Sequence, residues 1–193
     1  MAMVRGSGVS ESFEERSVRL RASYEAKARA ELAAADALAP GADTVRWSGD
    51  PLASVVVVKG SPGPAEACGG PALSGADGEA LHKALEALGW DPPLAFMTLS
   101  SPISGLDDGA RAARLRLQVE AIDPRVVIAL DAVAADDLAR AFEIPSLKAG
   151  SPVVSDGRRI VVLSGFEASL GDERLKRTVW RELKAAAPDG PVF

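Results

Sequence analysis

Hydrophobic and polar positions change their period several times along the chain, and the changes mark out its elements. From Glu11 to about Leu38 the sequence is rich in alanine and free of proline, with Glu and Arg interleaved so that they pair across a turn, which predicts a helix. The stretch "APGADTVRWSGDP" ends it. Val55 to Val58 is then an unbroken aliphatic run, the pattern of a strand covered on both faces. It leads into a loop of small residues, "KGSPGPAEACGGPALSG". Beyond the loop, residues 76 to 89 carry Leu81, Leu85 and Leu88 at helical spacing, and Gly89 suits the left-handed position that closes a helix.

The remainder keeps alternating. "PLAFMTLSSP" predicts a second strand, and "DDGARAARLRLQVEAI" a helix with Asp107 or Asp108 near its start. "PRVVIAL" predicts a third strand, "DAVAADDLARAF" a helix and "RRIVVLS" a fourth strand. The closing "DERLKRTVWRELKAAA" is amphipathic, with Leu175, Val179 and Leu183 on one side. Strands alternating with helices predict an α/β fold, a three-layer α/β/α arrangement around a central, mainly parallel sheet. At 193 residues the chain suits one domain, with residues 1–10 as a flexible start, 11–38 as the N-terminal helix and 186–193 as a tail.

Composition narrows the function classes. The aliphatic-rich, aromatic-poor mix fits a buried sheet flanked by helices, and the net charge of -5 argues against strong non-specific binding to nucleic acid. Cys68 is the only cysteine, so the chain forms no internal disulfide, and a reducing, cytoplasmic setting is expected. The start lacks the apolar run of a secretion signal, and no stretch approaches the roughly 18 apolar residues of a membrane span.

Candidate chemistry is sparse. The small-residue loop matches neither G-x-x-x-x-G-K-[ST] nor G-x-G-x-x-G, although loops at the carboxyl ends of such strands are where ligands bind. His82, the only histidine, sits within the Leu81/Leu85/Leu88 helix and reads as a helix-surface residue rather than a general base. With one His and one Cys, no zinc or iron site is expected, and no cofactor. Serines at 61, 74, 100, 101 and 164 lack a G-x-S-x-G setting, and Cys68 reads as a packed or idle thiol. Glu66, Asp107, Asp108, Asp136 and Asp137 read as capping and dipole partners. The basic set Arg174, Lys176, Arg177 and Arg181 is either a solvated face or a nucleic-acid-binding strip.

The order of these pieces resembles the uracil-DNA glycosylase superfamily, most closely its iron–sulfur branch, family 4, over about residues 20 to 185. In that family a buried strand runs into G-E-x-P-G, then a G-R-P-F-V-G stretch and a helix ending in Gly. "KGSPGPAEACGGPALSGADGEALHKALEALGW" follows that frame without a gap. "IDPRVVIALDAVAADDLARAF" is similar to the family's I-x-P-x-V-I-V-A-L-G strand and the helix after it. "LSGFEASLGDERLKRTVWRELK" matches the segment after the family's T-Y-H-P, its Leu-Lys-Arg-x-Val-Trp pattern met by Leu175, Lys176, Arg177, Val179 and Trp180.

The resemblance also shows what is missing. The family's loop Glu, which orients or acts on the attacking water, is met by Gly60; the Phe that stacks on the flipped base by Leu73; the Asn that reads uracil by Leu99. The His-Pro that stabilises the leaving uracil becomes Gly165-Phe166, and near two cluster-cysteine positions stand Ile103 and Arg111. Gly60, Ser61, Pro62, Gly63, Leu73, Leu99, Ser164, Gly165 and Phe166 would then form a vestigial pocket. Each missing group commonly costs two to four decades in rate, so the resemblance implies a glycosylase-fold protein without base excision that binds single-stranded or damaged DNA or a protein partner. Two alternatives stay open: an active nucleobase enzyme rewired through Ser61, Glu66 or Ser164, and a small-ligand or protein-interaction domain unrelated to DNA.

Overall fold

Valines without polar interruption belong in the middle of a sheet, because only a strand covered on both faces buries every side chain. The computed structural model describes residues 12–90, 95–102 and 104–186. In chain order the elements are α1 (Phe13–Ala37), β1 (Ser48–Gly49), β2 (Val55–Lys59), α2 (Pro64–Ala67), α3 (Ala76–Ala87), β3 (Ala95–Leu99), α4 (Asp108–Ile122) and β4 (Val126–Ala129). They continue with α5 (Ala132–Ala141), β5 (Val153–Ser155), β6 (Arg158–Val162), α6 (Phe166–Ser169) and α7 (Glu173–Ala186). The sheet order is β1-β3-β2-β4-β6-β5. The inner four strands are parallel, with Val57 opposite Met97 on one side and Ile128 on the other, and both edge strands are antiparallel.

The alternation of side chains along β2 divides the core into two layers. Val55 and Val57 pack with Leu81 and Leu85 of α3 and with Val179 and Leu183 of α7. Val56 and Val58 pack on the other face with Leu32 of α1, Leu115 and Val119 of α4 and Leu138 of α5. The result is the expected α/β fold in three layers. All four predicted strands and all five long helices form where the pattern places them.

Local chemistry sets the boundaries. Ser12 starts α1 through a reciprocal pair: its hydroxyl accepts from the Glu15 N–H at 3.2 Å, while the Glu15 carboxylate accepts from the Ser12 N–H at 2.8 Å. Asp107, not Asp108, caps α4 by accepting from the Ala110 N–H at 2.9 Å. α1 is tied to the body near its C-terminal end, where buried Arg114 of α4 reaches Asp36 at 2.9 Å and donates to the Leu99 carbonyl at 3.3 Å.

Two edge strands add to the predicted set. β1 contributes two residues, too few for a period to register. β5 and β6 form a hairpin across Asp156-Gly157, both with positive φ (49° and 77°), the Asp-Gly signature of a tight turn. Residues 1–10, read as a flexible start, and residues 187–193 of the tail lie outside the described residues; Ala186 is the last residue of α7. Among the described residues no helix is long and apolar enough to cross a membrane.

Candidate binding cleft at the carboxyl ends of β2 and β4

The order of the parallel strands locates a site before any side chain is considered. From β2 the chain moves one way to β3, then crosses back to β4 on the other side of β2. The winding therefore reverses between β2 and β4, and in open α/β sheets ligands bind in the crevice beyond the strand ends at such a point. A cleft of about 570 Å³ lies there, lined by Lys59 at the end of β2 and Ser61 in the loop after it, by Leu130 and Asp131 just past β4, and by Phe166 and Glu167 of α6.

At its floor sits a buried charge cluster. Lys59, the last residue of β2, is 4% exposed; its ammonium lies 2.5 Å from Asp77 Oδ2, 3.4 Å from Glu66 Oε1 and 3.8 Å from Glu167 Oε2. Burial by itself depresses the pKa of an ammonium. Here the Asp77 hydrogen bond and the charges of Asp77, Glu66 and Glu167 outweigh it, and the Lys59 pKa is held above the ordinary lysine value. Lys59 is thus a committed cation and not a nucleophile, which would need a depressed pKa.

Glu66 shows what the small-residue loop contains. Its side chain is fully enclosed, accepting from the Gly63 N–H at 2.9 Å and the Leu73 N–H at 3.0 Å in addition to facing Lys59. One carboxylate therefore clamps both ends of the loop's first half. The clamp leaves little room: a Cβ on Gly63 would lie 2.9 Å from the Lys59 ammonium, and one on Gly78 only 1.7 Å from the Leu73 carbonyl oxygen. Leu73 itself is held at φ 56°, a left-handed conformation that a bulky side chain adopts only under constraint.

Asp131 governs the opposite wall. Its Oδ2 accepts from the Gly60 N–H at 2.8 Å and its Oδ1 from the Ala134 N–H at 2.9 Å, capping α5. A Cβ on Gly60 would come within 2.3 Å of Asp131 Oδ1 and 2.5 Å of the Val133 Cβ. Asp131 thus takes up two backbone donors, the Gly60 and Ala134 N–H groups, that the crevice would otherwise offer an anion.

The predicted site residues separate into groups. Ser61, Gly165 and Phe166 line the cleft, with Gly60, Pro62 and Gly63 in the loop that frames it. Leu73 and Leu99 do not line it; both are buried in the core layer under α3 and α7. Ser164 turns away to Glu182, which accepts from its N–H at 2.8 Å and its hydroxyl at 2.5 Å. On α7, Arg174, Arg177 and Arg181 recur at three- and four-residue spacing, so they share one exposed stripe. None of the three side chains makes an ion pair among the described residues, whereas Lys176 pairs with Glu173 at 3.1 Å. His82 and Cys68 are exposed.

Arg111 donates to Asp108 at 2.9 Å and to buried Asp137 at 3.1 Å; Ile103 lies outside the described residues. Among the described residues no group of three or more His, Cys, Asp or Glu side chains is placed to hold a metal ion. Lys59, Asp77, Asp131 and Glu167 lie within the quoted stretches but were not among the predicted site residues. Lys59 carried a signal, a charge closing an aliphatic strand, while the other three meet it only through the fold. No protein-family model matches the chain, and no curated protein matches it either.

Proposed function

We propose that this protein works by binding, on a scaffold like that of the uracil-DNA glycosylases, and does not excise bases. The observation that carries the reading is the double engagement of Asp131, which takes up the Gly60 N–H and fills the space where a side chain on residue 60 would stand. The family's strand motif has Gly where this chain has Asp131. Leu73 and Leu99, at the stacking and base-reading positions, support the reading because both are enclosed in the core. Excision needs a pocket for the extruded base and stabilisation of the departing anion, and among the described residues neither a carboxamide nor an imidazole lines this cleft.

The cleft's own chemistry favours a small ligand. Among the described residues Lys59 is the single cation lining the cleft, against Asp77, Asp131 and Glu167, with apolar Leu130, Val133 and Phe166 along the wall. A phosphate would meet excess negative charge, with the Gly60 and Ala134 N–H groups already engaged by Asp131. A small molecule with an amino or other donor group and an apolar body fits better. The test is uracil release from single- and double-stranded oligonucleotides. Release at the uncatalysed background rate is expected; enzyme-dependent excision abolished by altering one cleft residue would overturn the proposal.

A second reading rests on the stripe of Arg174, Arg177 and Arg181, without ion pairs among the described residues, which suits phosphates of single-stranded DNA lying across α7. Affinity for an oligonucleotide should then fall steeply with salt, and replacing Arg174 and Arg181 with Ala should flatten that dependence. A salt-independent affinity excludes it.

A further inference from the structure

A second cavity, of about 320 Å³, opens between α3, α6 and α7. Its walls are almost wholly apolar: Ala80 and Ala84 from α3, buried Phe166 of α6 with exposed Leu170 just beyond it, and Val179 and Trp180 from α7. The space exists because α3 presents two alanines, one turn apart, to α7 where larger residues would close the gap. Lys176 and Arg177 stand on its rim, and the Lys184 ammonium lies 5.2 Å from the centre of the Trp180 ring. Lys176 has a partner in Glu173, whereas Arg177 has no ion pair among the described residues.

An apolar cavity bordered by cations selects for an apolar anion. The volume lies at the small end of ordinary ligand sites, which excludes a folded partner and suits a short chain or single ring. We propose that this groove binds small monocarboxylates with an apolar body, the chain or ring lying between Ala84 and Trp180 and the carboxylate meeting Arg177. Arginine is suited to this role because its fork matches a carboxylate and its charge is never lost. The site is distinct from the cleft between β2 and β4 in residues and in charge, sharing only the Phe166 wall, and does not depend on how that cleft is used.

Octanoate is the probe, followed by isothermal titration and by tryptophan fluorescence. Binding should change the fluorescence, and the change should vanish in W180F, since Trp47 and Trp90 lie elsewhere. Hexanoate should bind about fifteen-fold more weakly, the value expected for two fewer buried methylenes. Octan-1-ol, of equal length and no charge, should lose about five-fold, as should octanoate with R177Q. A84L fills the groove and should abolish binding; R177Q, on the surface, keeps the test open if A84L fails to fold. The proposal is overturned by octan-1-ol binding as tightly as octanoate, by affinity unchanged in R177Q, or by no octanoate binding at about 10 mM.

Discussion

The cleft between β2 and β4 and the groove between α3 and α7 meet at Phe166, yet they treat their charges in opposite ways. In the cleft every charged group on the floor is engaged by another part of the chain: Lys59 by Asp77 and Glu66, and Glu66 and Asp131 by backbone N–H groups. In the groove the walls carry no such network, and Arg177 on the rim is unpaired among the described residues. Buried charges have to be satisfied internally because water cannot reach them, whereas rim charges are left for solvent or ligand. The cleft's charges are therefore tied into the fold, whereas the groove leaves a cation on its rim for a ligand.

The comparison is broken most forcefully at Lys59. K59M leaves Asp77 and Glu66 buried without their cation, and chemical denaturation should show a loss of about 3–5 kcal/mol. The effect has a defined pH range. Because the folded-state pKa of Lys59 lies above the ordinary 10.5, its contribution is complete below that value and is lost as pH rises through the higher folded-state pKa. The stability gap between wild type and K59M should thus stay level from neutral pH to about pH 10 and narrow above it. A gap that closes between pH 6 and pH 9 would mean that burial outweighs the acidic partners and holds Lys59 below the ordinary lysine value.

Gly60→Ala should come next. Its methyl would overlap Asp131 and Val133, and a cost of about 1–3 kcal/mol is expected from thermal or denaturant unfolding. Asp131→Ala should cost about 1–2 kcal/mol through loss of the α5 cap. It also sharpens the comparison, since it frees the Gly60 and Ala134 N–H groups. The variant should bind inorganic phosphate measurably by titration calorimetry while the wild-type cleft does not. Equal phosphate binding by both proteins would show that Asp131 does not hold the donors in solution. Smallest of all, R177Q should change stability by less than about 0.5 kcal/mol, the expected value for a surface cation with no partner. A larger loss would place Arg177 in the structure of α7 rather than on a ligand-ready rim.

Much of the fold was legible along the chain, for reasons visible in particular residues. Val55 to Val58 announced a central strand because burial on both faces demands apolar residues at every position, and Leu81 and Leu85 announced α3 because one helix face repeats at that spacing. The β5–β6 hairpin carried a readable cue in Asp156-Gly157 that the aliphatic run after it obscured. The clamp by Glu66 carried none, since its partners at Gly63 and Leu73 are joined by backbone groups that every residue possesses.

What the sequence by itself determined is local: which segments form strands, which coil, and which faces must be covered. These follow from periodicity and from hydrogen bonds a few residues apart. The sites were decided only by tertiary structure. Asp131 reaches Gly60 across 71 positions of chain, and Asp77 and Glu167 reach Lys59 from two different helices. Electrostatics and exclusion depend on distance in space, which the order of residues along the chain does not state.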